Sequence, residues 1–118
     1  MINYDGRTFR SADPETANGA GLGPIGHYHQ NGERVWAEFA GGAVAKGALV
    51  GTCTPDGSLT LAYCQLLQDG QVVAGRCTST PQVLNDGRIR LREQWWRFDH
   101  ACSCGVSYIE EVALKDDG

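Results

Sequence analysis

The segment Arg88-Ile89-Arg90-Leu91-Arg92-Glu93-Gln94-Trp95-Trp96-Arg97 carries the residue most able to do chemistry. Arginines are costly to bury, so the strict alternation over 88–92 puts Arg88, Arg90 and Arg92 outside and Ile89 and Leu91 inside. The same period of two carries Glu93 and Trp95 inward. A carboxyl held beside an indole, away from bulk water, can accept a hydrogen bond, hold a charged ligand, or act as a general acid or base with its pKa raised by burial.

The other polar candidates come from neighbouring segments by the same parity. In 58–67, Leu59, Leu61, Tyr63 and Gln65 form the better core face against Ser58, Thr60, Ala62 and Cys64. If Gln68-Asp69-Gly70 is a three-residue loop, Val73, Gly75, Cys77 and Ser79 join that face. A two-residue loop would instead bring in Val72, Ala74, Arg76 and Thr78. The first is preferred because it leaves Arg76 outside. In 33–40, Val35, Ala37 and Phe39 make the simpler core face, and a two-residue Asn31-Gly32 turn puts Tyr28 with them. The expected ligand-binding set is therefore Tyr28, Tyr63, Gln65, Ser79, Glu93 and Trp95, with Glu93 the candidate catalytic residue. An apolar wall with a few converging polar groups is how small-molecule sites are built. The competing expectation is a filled core in which Tyr63, Gln65 and Glu93 satisfy one another or a buried water.

Other chemistries fit less well. His27 and His29 are two apart, as metal-binding pairs often are, and His100, Cys102 and Cys104 lie near the other end. Their spacing matches no zinc finger, ribbon or HExxH helix, so no metal and no cofactor is expected. Cys102-x-Cys104 is not the redox CxxC, and so short a separation hinders an unstrained disulfide. Gly19-Ala20-Gly21-Leu22-Gly23 leads into Pro24 and not into a helix, which excludes a phosphate loop. No nucleophile elbow is present, and no Cys–His nucleophile pair is placed.

The elements that position these residues are read from the turns. Asn31-Gly32, Asp56-Gly57, Asp69-Gly70 and Asp86-Gly87 each separate apolar-rich segments, and Gly41-Gly42 marks a further corner. Between them lie strands at about 6–12, 24–30, 33–40, 43–53, 58–67, 71–80, 88–97 and 106–114. Segment 13–23 reads as a flexible loop and 98–105 as a tighter one. No helical apolar period persists over three turns. Consecutive short strands make a meander, and closure removes its two exposed edges. The expected fold is all-β: a closed up-and-down antiparallel barrel of about eight strands in one domain spanning 1–118.

Composition agrees. The 118 residues suit one domain, with 42% apolar and 20% charged residues. Sixteen glycines with only four prolines fit many turns and bent strands. A formal net charge of −4 disfavours nucleic acid as a partner. No apolar stretch approaches the roughly 18 residues that span a bilayer, so no membrane partner is expected. The first residues lack a basic segment followed by an apolar run, so a cytoplasmic protein with five reduced cysteines is expected.

The motifs His27-Tyr28-His29-Gln30, Trp36-Ala37-Glu38-Phe39-Ala40-Gly41-Gly42, Lys46-Gly47 and 86–95 together resemble a family of small, mostly bacterial barrels of avidin-like or calycin-like type. The resemblance covers nearly the whole chain except 13–23, and implies the barrel. Members commonly carry the label acetylglutamate synthase. That label implies a mixed α/β acetyltransferase domain with a coenzyme A phosphate loop, and this chain has neither. It also lacks any motif that would carry biotin binding over from avidin.

Three functions follow as expectations. The first is a barrel that binds a small molecule without catalysis. The second is a cofactor-free enzyme, such as a cyclase, isomerase or lyase, with Glu93 as acid or base. The third is an interaction module on the outer face, where Trp36 and Trp96 would suit a homodimer contact.

Overall fold

The computed structural model describes residues 2–12 and 23–112. The expected loop at 13–23 falls, apart from Gly23, outside the described residues, as do positions 113–118.

Eight strands, β1 (Thr8–Ser11), β2 (Ile25–Asn31), β3 (Arg34–Gly41), β4 (Val44–Cys53), β5 (Leu59–Leu67), β6 (Val72–Val83), β7 (Ile89–Arg97) and β8 (Cys104–Glu111), follow one another in the chain. Each pairs antiparallel with the next, and β8 closes on β1, so the sheet is a complete up-and-down barrel.

Three hairpins share one loop. In each, an x-Asp-Gly triplet is closed by two backbone hydrogen bonds: Thr54 N–H donates to Ser58 O, Leu67 N–H to Gln71 O and Leu84 N–H to Arg88 O, while Gly57, Gly70 and Gly87 donate back. The three glycines sit at φ of 89°, 91° and 89°, where an L side chain is strained. The aspartates lock the loops: Asp56, Asp69 and Asp86 each accept, through Oδ1, the N–H two residues on. The Thr54 hydroxyl at Asp56 and the Arg88 guanidinium at Asp86, then these backbone hydrogen bonds, hold the two carboxyls below their ordinary pKa.

Several expected boundaries shift for physical reasons. Strand β1 begins at Thr8 and not near residue 6, because Asp5-Gly6 is itself a turn: Gly6 has φ 77° and Arg7 N–H donates to Tyr4 O. The β2–β3 turn is Gly32-Glu33, one residue later than Asn31-Gly32, with only Gly32 at positive φ. Tyr28 pairs with Ala37 and not Val35, a shift of two residues that leaves its face unchanged. Strand β6 runs on through Pro81 to Val83, and β8 starts two residues earlier than expected, at Cys104.

One end of the barrel is sealed. Tyr4 is fully buried and its hydroxyl donates to Gly57 O at 2.5 Å. Its ring meets Phe9 and Tyr28 at 6.2 Å, and Phe9 and Tyr28 meet edge-on at 5.0 Å. Around this plug lie Val35, Leu59, Leu91 and Ile89, all essentially buried. Arg7 grips both carboxylate oxygens of Glu111, at 2.8 and 2.9 Å, beside the same end. Glu111 also accepts the Ile89 N–H, which fastens β7 to the closing strand. No helix among the described residues is long and apolar enough to cross a membrane.

Candidate functional site

Above the plug the interior is open, as a cavity of about 250 Å³. Its wall is built by one device used repeatedly. Each odd-numbered strand supplies one aromatic ring: Phe9, Phe39, Tyr63 and Trp95. Each ring's residue is the register partner of a glycine on the following strand, namely Gly26, Gly47, Gly75 and Gly105. At three of these glycines the ring occupies the place of the missing side chain. A Cβ would stand 2.3 Å from Phe39 at Gly47, 2.5 Å from the Tyr63 hydroxyl at Gly75, and 2.6 Å from Trp95 at Gly105. The rings therefore lie along the wall and leave the axis clear. That is why this eight-stranded barrel is not filled by its own side chains.

Polar groups converge on this space. Glu93, Tyr63, Gln65 and Trp95 all line it, and Tyr28 forms its base. Ser107 Oγ, paired with Glu93 across β7–β8, donates to Glu93 Oε1 at 3.5 Å, and the Cys77 thiol faces Oε2 at 4.0 Å. Burial, then the Glu93 charge, pushes the Cys77 thiol up to about 12. The same two causes in the same order drive the Tyr28 phenol well above its ordinary value. Both groups thus stay protonated near neutrality, and the Cys77 thiol presents its hydrogen toward the carboxylate.

Ser79 departs from the expected set. It points inward but is fully buried below the cavity, where its Oγ lies 3.6 Å from Cys77 Sγ. Ser79 pairs with Leu59 and Glu93, one step nearer the sealed end than Cys77.

Four polar lining residues escape the sequence reading: Ser11, Arg97, Ser107 and Tyr108. Arg97 continues the inward parity of Glu93 and Trp95, and it also lines the cavity. Being the last residue of β7, it keeps its stem inside and its head at the mouth. Its guanidinium lies 5.7 Å from the Trp95 ring centroid. It also sits against Tyr63, whose phenol is raised by burial and pulled back by the Arg97 charge. Ser107 and Tyr108 are hidden because nothing in β8 alternates strongly enough to fix their faces.

The histidines stay outside. His27 Nδ1 is 3.1 Å from Thr8 Oγ1, whereas His29 stacks on Trp36 at 5.4 Å and contacts Glu38 at 3.0 Å. Among the described residues no three His, Cys, Asp or Glu side chains gather as metal ligands would. All five cysteines are free thiols, Cys53 and Cys77 buried and the others exposed.

An eight-stranded antiparallel meander, sealed at one end and hollow with polar groups at the other, is the architecture of a small-ligand barrel. The model of the avidin-like protein family matches residues 2–112. The chain belongs to the avidin-like family. A search of the curated proteins gives no match.

Proposed function

We propose that this protein binds a small molecule inside the barrel, with Tyr28, Tyr63, Gln65, Glu93 and Trp95 as the contacting residues. The observation that carries this reading is the cavity itself: an aromatic wall laid on glycines, with Glu93 in it and a hydrogen-bonded plug, Tyr4, closing the far end. A core selected only for stability would fill that space, since each unfilled methyl-sized void costs about 1 kcal/mol. Ser79, hidden beneath Cys77, supports the site from below and makes no contact with the ligand.

The test is Glu93→Gln, which keeps shape and removes charge. The fold is expected to survive, and affinity for any fragment that raises the unfolding temperature of the wild type is expected to change by about tenfold or more. Unchanged affinity for every such fragment contradicts the assignment. A second reading, catalysis with Glu93 as acid or base, is favoured by the carboxylate facing the cavity between a hydroxyl and a thiol. Under it, the same variant loses about a hundredfold or more in turnover.

We also propose a second copy of the chain as a partner on the outer face. Trp36, Val50, Ala62, Arg76 and Trp96 form one continuous cross-strand row there. Trp36 and Val50 are exposed, and Arg76 covers the Trp96 ring at 5.2 Å. Sedimentation of the wild type and Trp36→Glu tests it: a dimer lost in the variant supports the contact, and a wild-type monomer refutes it. The five free thiols support a reducing, cytoplasmic setting.

A further inference from the structure

Resting on that binding reading, we infer that the ligand is amphoteric: an organic cation at one end, seated beside Glu93, and an anion at the other, held at the mouth by Arg97. Four aromatic rings from alternate strands surround the space into which Glu93 projects. Aromatic faces carry negative quadrupole density, and rings grouped around a pocket are a general device for holding organic cations. A carboxylate among those rings adds a full negative charge at the same place. Two groups beside it donate hydrogens: the Ser107 hydroxyl at 3.5 Å and the Cys77 thiol at 4.0 Å.

Arg97 supplies the opposite pole. It follows Glu93 by four residues on the same strand and shares its inward face. Four residues of strand span about 13 Å between α-carbons, and both side chains reach into the intervening space. The guanidinium is held over Trp95, hydrogen-bonds Tyr63 and feels the Asp99 charge, and the rest of its fork can meet a carboxylate or another planar anion at the rim. Between the poles lie the indole of Trp95 and the opposite wall of Phe39. A flat, apolar spacer fits there better than a flexible polar one. The cavity of about 250 Å³ is below the about 300–1,000 Å³ of drug-sized sites. It therefore selects a small molecule.

The probe is para-(aminomethyl)benzoate, with benzylamine, benzoate and neutral benzyl alcohol as its partial analogues, titrated calorimetrically into the wild type, Glu93→Gln and Arg97→Gln. Near-ultraviolet circular dichroism verifies that each variant keeps its aromatic packing. The amphoteric probe is expected to bind the wild type about tenfold or more tighter than either half. Glu93→Gln should reduce it to the affinity of benzoate, and Arg97→Gln to that of benzylamine. Should Glu93→Gln fail to fold, the Arg97→Gln comparison alone decides. Benzoate or benzyl alcohol binding as tightly as the amphoteric probe overturns the inference while leaving small-molecule binding intact. Absence of binding by all four, the neutral one included, overturns it together with the binding reading.

Discussion

The indole of Trp95 lies so close to Gly105, its register partner on the last strand, that a Cβ there would stand 2.6 Å from Trp95 Cζ2. No backbone atom is among the three nearest neighbours of that Cβ, and all three belong to the indole. The glycine is thus required by the ring and not by the chain path. Gly105→Ala is expected to cost about 1–3 kcal/mol as an overpacked site. Combined with Trp95→Leu it should cost less than the sum, with a coupling of about 0.5–3 kcal/mol. Urea denaturation of the two single variants and the double variant measures the coupling. Strict additivity would show that the ring does not rest on Gly105.

The plug has its own test. Tyr4→Phe removes the hydroxyl that donates to Gly57 O and leaves that carbonyl without its donor at a buried site. The expected loss is about 1–3 kcal/mol in chemical denaturation. A neutral substitution would mean that the sealed end is held by ring packing alone.

The shared hairpin loops predict a graded series. Gly87 and Gly57 have the same φ of 89°, yet a Cβ at Gly87 meets nothing within 4 Å, whereas at Gly57 it meets Ile2 Cδ1 at 2.8 Å and Pro81 Cγ at 3.2 Å. Gly87→Ala should therefore cost only the left-handed penalty, about 1–2 kcal/mol. Gly57→Ala should cost more and loosen the amino-terminal segment, which amide exchange around Tyr4 would report. Equal costs would contradict the packing of Ile2 against that loop.

How much of this was legible follows from which residues constrain a face. Three alternating arginines fixed the register of β7, and through it Glu93 and Trp95, because only one parity avoids burying them. Arg76 did the same for β6, because only the three-residue Gln68-Asp69-Gly70 loop leaves it outside. Tyr4 was not legible: it plugs the barrel from an irregular segment, where no periodicity exists to be read. Arg97 was hidden by the same rule that revealed Glu93, since an arginine argues for the outside unless it sits where the strand meets solvent. Ser79 shows a third limit. Parity gives the face, but the level along the axis depends on barrel stagger, which arises only on closure.

The raised thiol of Cys77 gives a pH dependence with a definite sign. Burial, then the Glu93 charge, moves it from 9.0 to about 12. Below pH 9 the thiol is protonated both folded and unfolded, so its contribution to stability is fully present. Between about pH 9 and 12 the unfolded chain loses this proton while the folded chain keeps it, and stability falls with rising pH. The slope from one such proton is at most about 1.4 kcal/mol per pH unit. Cys77→Ala should flatten the wild-type decline over that window, as measured by denaturation across pH. At neutral pH, alkylation followed by mass spectrometry should label Cys64, Cys102 and Cys104 and spare Cys77. Rapid labelling of Cys77 in the folded protein would contradict its burial.

The central claim is that the barrel interior is where a small molecule binds, and the indole N–H resonances report on it most directly. The chain has three tryptophans, of which Trp95 faces the cavity while Trp36 and Trp96 lie on the outside. Nitrogen-15 spectra recorded during a fragment screen, with Trp95 assigned from Trp95→Phe, should show the Trp95 indole moving in a saturable way while Trp36 and Trp96 stay still. Saturable shifts confined to Trp36 or Trp96, or no shift at Trp95 with any fragment that stabilises the protein, would contradict it.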